Sequence, residues 1–259
     1  MNYQRIQLTV QDKIAWISLN HPPLNEMDEL MMSELAEVHR ELSVDQNVRG
    51  IILKSNCPKF FSNGLPAQEL ATADAPEMRQ FFSRLGEMIE AMYGCEKPEI
   101  ALIDGHAMAG GAVLGLLADF RFMGEHCGRY SFSEILVGLI IPTLLQTILK
   151  TVVQPAHIAE VIFGKAYKPA EAQEIGLVNK VFPSELLAKE AEKVLKNLFR
   201  LPQENVRTTK VLLRQEVLQK IRSQKKEMLD ELMPFFNDNL REGIRAVMEN
   251  RRPVFDSLT

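Results

Sequence analysis

The chain is poor in cysteine, with Cys57, Cys95 and Cys127 its full complement in 259 residues. An odd number without metal-ligand spacing excludes a disulfide framework and a zinc site, and fits a reducing compartment, the cytoplasm. Long hydrophobic runs are missing too. The longest apolar tract, Ile135 to Leu149, is interrupted by Gly138, Pro142 and Gln146, so no membrane span is expected. The first residues alternate apolar and polar and carry neither the apolar region of a signal peptide nor the acid-free bias of an organelle presequence. Charge of one sign is scarce: the formal net charge is -4, and the basic run Arg222 to Lys226 is followed at once by acidic residues. That balance excludes an electrostatically driven nucleic-acid partner. Neither GxGxxG nor GxxxxGK followed by Ser or Thr occurs, which removes the common phosphate-binding loops. No repeat of fixed period is present.

What is present is an alternation of strand and helix patterns. Residues 3 to 19 read as a hairpin around "IQLTV" and "IAWISL", with a turn at Gln11, Asp12 and Lys13, and "HPPLN" stops the second strand. Met31, Leu35, Val38 and Leu42 lie at helical spacing, and "RGIILKS" follows as a compact strand. A helix over Met78 to Tyr93, a strand in "KPEIALIDG", a helix from Ala112 to Leu117, strands around "FRFM" and "RYSF", and a loop carrying Glu134 complete a layered α/β core. From about Ser184 the pattern is almost wholly helical, punctuated by Pro202 and Pro234. Such a region must bury its apolar faces against the core or another subunit. The division expected is an α/β core over 1–195 and a helical oligomerisation region over 196–259.

Two glycine sites and one carboxylate carry the candidate chemistry. Gly110 and Gly111 open an apolar helix, where outward-pointing amides and the positive end of the helix dipole suit an anionic oxygen. The alternative is close helix packing by Ala109, Gly110, Gly111, Ala112 and Gly115. Gly64, followed by Leu65 in "FFSNGLPAQEL", is a surface turn or a second source of an exposed amide. Paired donors of this kind stabilise a thioester oxygen as it becomes an enolate, and losing one costs about 3 kcal/mol in the transition state. Glu134, by itself, reads equally as a solvated loop residue or a helix cap.

In order along nearly the whole chain, "NHPPLNEMD", "RGIILKSNCPKFFSNGL", "IDGHAMAGGAVLGLLADFRF", "YSFSEILVGLIIP", "EAQEIGLVNKVFP" and "EGIRAVMENRRPVF" resemble the crotonase, or enoyl-CoA hydratase/isomerase, superfamily. The resemblance implies a crotonase (ClpP-like) spiral of repeated ββα units with a helical C-terminal trimerisation region, assembled as a homotrimer or a dimer of trimers. It implies an acyl-CoA thioester as substrate, with coenzyme A part of that substrate and no separate cofactor or metal. The oxyanion amides fall on Leu65 and Gly110. Hydratases usually carry a glutamate three residues after that glycine, where this chain has Val113; the family's second carboxylate position is Glu134, preceded here by Ser133 rather than proline. The mitochondrial Δ3,Δ2-enoyl-CoA isomerases are similar in keeping only that second glutamate.

One carboxylate suits proton transfer from C2 to C4 better than hydration, which divides its work between two. The expected reaction is therefore a shift of a 3-enoyl-CoA double bond to the 2-position. The alternatives are a single-carboxylate enoyl-CoA or dienoyl-CoA hydratase, a decarboxylase or hydrolase, and a non-catalytic CoA-ligand-binding homologue. Val113, Ile135 and Leu136 are expected to surround Glu134 with apolar groups. Pro66 departs from the family's frequent aspartate and changes the turn that aims the Leu65 amide. Leu24, Asn63, Gly64 and Gly111 are expected along the bound thioester. Lys59, Arg251 and Arg252 are candidates for phosphate contacts, the last two from a neighbouring subunit, or else are solvated surface charge. His106 in a loop, Asp119 at a helix end and Tyr130 in a strand are assigned structural roles.

Overall fold

The computed structural model describes residues 3–255. Its larger sheet contains β1 (Ile6–Gln11), β2 (Ile14–Leu19), β3 (Gly50–Ser55), β5 (Glu99–Ile103), β7 (Phe120–Gly124) and β9 (Lys180–Phe182), side by side in that order. Its smaller sheet contains β4 (Phe60–Ser62), β6 (His106–Met108) and β8 (Tyr130–Ser131). Among the described residues, β1 and β2 pair antiparallel and the other strand-to-strand pairings are parallel, while Tyr130 makes one antiparallel bridge to Tyr167. β5 is buried at every residue, as expected for a parallel strand covered on both faces.

The chain alternates between the sheets: β3 then β4, β5 then β6, β7 then β8, each pair followed by helix. This is a spiral of ββα units. The helices are α1 (Glu29–Val44), α2 (Ala67–Thr72), α3 (Ala75–Tyr93), α4 (Gly110–Leu117), α5 (Thr143–Val152), α6 (Ile158–Ile162), α7 (Pro169–Glu174), α8 (Leu187–Leu198), α9 (Gln203–Leu232) and α10 (Asp238–Met248). α1 starts where Asp28 accepts a hydrogen bond from the Met31 amide at 2.8 Å, and α3 starts on a capping box between Asp74 and Glu77. Met31, Leu35, Val38 and Leu42 form the buried face of α1.

Several boundaries differ from the sequence expectation. The small sheet is the main one: three-residue β4 and β6 are too short to show a period, and His106 begins a strand instead of lying in a loop. α8 runs through residue 195, and the helical stretches separate at Pro202. α9 extends to 30 residues, with a non-helical step at Gln224.

α9 packs on α3 and α5, burying Val217, Ile221, Met228 and Leu232. It also drives two cations into the base of the core. Lys210 Nζ reaches Asp119 Oδ2 at 2.7 Å and donates to the Lys97 carbonyl at 2.6 Å. Arg214 reaches Asp119 Oδ1 at 2.7 Å and lies 4.3 Å over the Tyr93 ring. Asp119 also accepts from the Glu99 amide at 2.8 Å. Burial pushes its carboxyl up, but Lys210 and Arg214 outweigh that and hold it below the usual carboxylate range. Replacing Asp119 by alanine leaves two buried cations without a counter-ion. Asp119→Ala is expected to lose about 3–5 kcal/mol of unfolding free energy in chemical denaturation. A loss below about 1 kcal/mol contradicts the assignment of Asp119 as their neutralising partner.

Candidate active site

The parallel register of the small sheet determines which loops meet. Ser62 pairs with Ala107 and Met108 with Ser131, so β4, β6 and β8 end at the same edge. Asn63, Gly64 and Leu65 leave β4 there, Ala109 and Gly110 leave β6, and Phe132, Ser133 and Glu134 leave β8. With strands about 4.8 Å apart, the three exits lie within about 10 Å across the sheet. Ligands in parallel α/β sheets collect at this carboxyl end.

The two glycine turns touch. Gly64 has φ of +87°, and a Cβ there would stand 2.8 Å from the Gly110 nitrogen, so only glycine lets the turns approach. The "HPPLN" loop holds this arrangement from behind. The Asn63 amide donates to the Leu24 carbonyl at 3.0 Å, Met27 donates to the Gly64 carbonyl at 2.8 Å, and the Ser62 hydroxyl donates to the Asn25 carbonyl at 2.7 Å. Pro66 is the N-cap of α2, where its missing N–H is no loss. Gly111 presses on β4, since a Cβ would overlap the Ser62 carbonyl. Both glycines are closely packed, Gly111 on Ser62 and Gly110 on Met27. Among the described residues, neither the Leu65 nor the Gly110 amide has a hydrogen-bond acceptor.

The sequence names Ala109 only as a small residue for close packing, not for its backbone. Its φ of 47° and ψ of -121° are unusual for a residue with a side chain, and its amide donates to the Ser131 carbonyl at 2.8 Å. The following amides turn inward, with Ala112 and Val113 both donating to the Ala109 carbonyl. The strained step thus separates strand β6 from the helical direction of α4 within one residue. No motif in the sequence marks it apart from its place beside two glycines.

Glu134 opens a four-residue 3₁₀ turn, Glu134–Val137, rather than a loop. It is buried, and its Oε2 has no hydrogen-bond partner among the described residues. Burial pushes the carboxyl up to about 7, against a smaller opposing pull from its own backbone amide. Val113 is buried one turn into α4, and Tyr130 fixes that helix by donating to the Ala112 carbonyl at 2.7 Å. The expected wall of Ile135 and Leu136 requires correction. They are 41% and 51% exposed and point toward Gly164, because the 3₁₀ turn rotates the residues after Glu134 away from the core.

The phosphate candidates lie apart. Lys59 is exposed before β4, at the opposite end of that strand from Leu65. Arg251 pairs with Glu242 at 2.5 Å and with Glu249 at 2.6 Å, both in its own chain, and Arg252 is exposed. The large cavity, about 780 Å³, lies at the other end of the main sheet, lined by Phe120, Ile148, Lys210, Leu213 and Arg214 among others. It contains none of Leu65, Gly110 and Glu134. The cavity and the edge that carries the unpartnered Glu134 carboxyl and the Leu65 and Gly110 amides therefore lie in different parts of the fold.

A family model described as enoyl-CoA hydratase/isomerase matches residues 9–258. The mitochondrial enoyl-CoA delta isomerase 1 of Rattus norvegicus is 25% identical over 240 residues, covering 91% of this chain and 83% of that protein. The crotonyl-CoA hydratase of Syntrophomonas wolfei is 29% identical over 266 residues, covering 99% and 100%. The crystal structure of human mitochondrial delta3-delta2-enoyl-CoA isomerase superposes with a TM-score of 0.90 at 23% identity, covering 95% of this chain and 98% of that one.

A buried acid whose pKa rises from the ordinary 4.5 to about 7 on folding favours its protonated form. Its contribution to stability is full below about pH 4.5 and is lost as pH rises through about 7. Glu134→Gln removes that loss. The variant is expected to be more stable than the wild type by about 3 kcal/mol at pH 8 and to converge with it near pH 4 in denaturant titrations. Parallel pH profiles for the two proteins contradict the raised carboxyl.

Proposed function

Since the chain belongs to the enoyl-CoA hydratase/isomerase family, we propose that it moves the double bond of a 3-enoyl-CoA to the 2-position, with Glu134 as the proton carrier. The observation that carries this reading is the buried Glu134 carboxyl, raised to about 7, with buried Val113 where a hydratase's other glutamate would stand. Ionised Glu134 takes one proton from C2. The electron pair left behind forms a C1–C2 double bond, and negative charge passes to the thioester oxygen, which the Leu65 and Gly110 amides receive. Protonated Glu134 returns its proton to C4, electrons from the former C3–C4 double bond form that carbon–hydrogen bond, and the dienolate collapses to a C2–C3 double bond. Atoms and charge balance with no water consumed.

Val113 contributes by leaving no second acid or base on α4 to activate water. Leu24, Asn63 and Gly64 fit the thioester and pantetheine path, and exposed Arg252 is the remaining candidate for the phosphates. Arg251 suits that role less because Glu242 and Glu249 already neutralise it. The region over 196–259 serves a homotrimer or a dimer of trimers: Leu212 and Leu213 of α9 are 63% and 82% exposed in the single chain. Among the described residues no helix is long and apolar enough to cross a membrane, and a cytoplasmic setting suits the unpaired cysteines. A single-carboxylate hydratase is the competing reading, favoured by the 29% identity to crotonyl-CoA hydratase.

Incubation with 3-hexenoyl-CoA and, separately, 2-hexenoyl-CoA separates the two. The expected outcome is 2-enoyl-CoA from the first and no hydroxyacyl product from either. Turnover is expected to fall about tenfold per pH unit below about pH 7, as Glu134 becomes protonated. Glu134→Gln should lower it by about 10²–10⁴-fold. Hydroxyacyl-CoA from the 2-enoyl substrate contradicts the isomerase reading.

A further inference from the structure

We propose that α10 is a positioning element for Glu134, acting through the contact of Gly243 with the backbone of Val137. The proposal rests on the reading of Glu134 as proton carrier. A four-residue 3₁₀ turn has little stability of its own, so something outside it must keep its first side chain in one place. α10 packs directly on this turn. A Cβ at Gly243 would overlap the Val137 carbonyl oxygen and stand 2.6 Å from both its carbonyl carbon and its Cα. From the other side, a Cβ at Gly138, which ends the turn with φ of +82°, would stand 3.1 Å from the Asn239 carbonyl carbon. Backbone meets backbone on both sides, with no flexible side chain between to absorb movement.

Glycine in the middle of a helix costs about 1 kcal/mol relative to alanine. Gly243 sits fully inside α10, between buried Leu240 and Ile244, where the close approach to Val137 offsets that cost. α10 is itself firmly held. Asn237 caps it by accepting from the Asn239 and Leu240 amides at 3.0 and 3.3 Å, and Phe236 packs on Phe82 of α3 with ring centroids 5.2 Å apart. Near its middle, Glu242 accepts from Arg251 and from the Val254 amide, folding the residues after the helix back on it. α10 also packs on α2, the helix capped by Pro66 beside Leu65. One helix therefore bears on the segments after both the base and one oxyanion donor.

The charged groups of α10 do not supply the effect electrostatically. Asp238, Arg241 and Arg245 are exposed, and Glu242 is paired with Arg251. On α2, Glu69 is exposed. No charged side chain acts on Glu134; burial does, with its own amide opposing. The contribution of α10 is thus to keep the turn closed against water.

The test is Gly243→Ala in the full chain, with Glu134 ionisation followed by infrared difference spectra against Glu134→Gln, and with kcat and KM for 3-hexenoyl-CoA. The expected result is a folded variant whose Glu134 midpoint drops by about one pH unit or more as water enters. Its kcat should fall by about 10²-fold while KM changes far less, as for a misplaced base. A folded variant with an unchanged midpoint overturns the proposal. Where Gly243→Ala does not fold, Leu240→Ala, which loosens α10 without inserting an atom at the contact, is read by the same two outcomes. A lowered midpoint in a protein whose wild type does not turn over 3-hexenoyl-CoA upholds the positioning role and sinks only the assigned reaction.

Discussion

The parallel pairing of three very short strands is the constraint on which this site depends. β4, β6 and β8 contribute eight residues in all, yet their shared direction sends three loops to one edge. A one-residue slip in β6 would turn its side chains to the opposite face and carry Gly110 away from Gly64. The "HPPLN" loop and Met27 just after it fasten the exit of β4, with Leu24 accepting from the Asn63 amide and Met27 donating to the Gly64 carbonyl. Asn25 adds a further tie, donating to Ser55 Oγ at 2.7 Å and to the Phe61 carbonyl at 3.1 Å.

The large sheet serves that small one. Its parallel strands alternate in sequence with β4, β6 and β8, so the hydrophobic burial that orders β3, β5 and β7 also delivers the short strands to their places. Three-residue strands could not persist alone. The opposite end of the large sheet is closed by charge: Asp119 and the two cations of α9 fasten the helical region to strand β7. Glu99, beside that cluster, and Glu134, at the other end, each keep a buried carboxylate oxygen without a partner among the described residues.

Much of this was legible in the residues. Alternation in β1 and β2, the apolar runs of β3 and β5 and the helical spacing of α1 and α3 carry local periods, and these elements stand where the periods place them. The ordered motifs carried the family and hence the spiral. Of the small sheet, β8 was legible in "RYSF", but β4 and β6 were not, because three residues cannot express a period, and Ala109's backbone is set by tertiary closure rather than by its own preference. Ile135 and Leu136 misled for a related reason. Their apolar character gives no direction, and the 3₁₀ turn sends them outward. Gly243 left a faint trace, a glycine within a strongly amphipathic helix, whose meaning depends on a neighbour more than one hundred positions earlier in the chain.

The central claim is that one buried carboxyl carries the same proton from C2 to C4. Its most direct measurement uses 3-hexenoyl-CoA carrying two deuterons at C2, in ordinary water, with the position of label in the product read by nuclear magnetic resonance at early conversion. Glu134 shielded from solvent predicts 2-hexenoyl-CoA with deuterium retained at C2 and transferred in part to C4. Product with only hydrogen delivered to C4 at every conversion, or a hydroxyacyl product in its place, contradicts it.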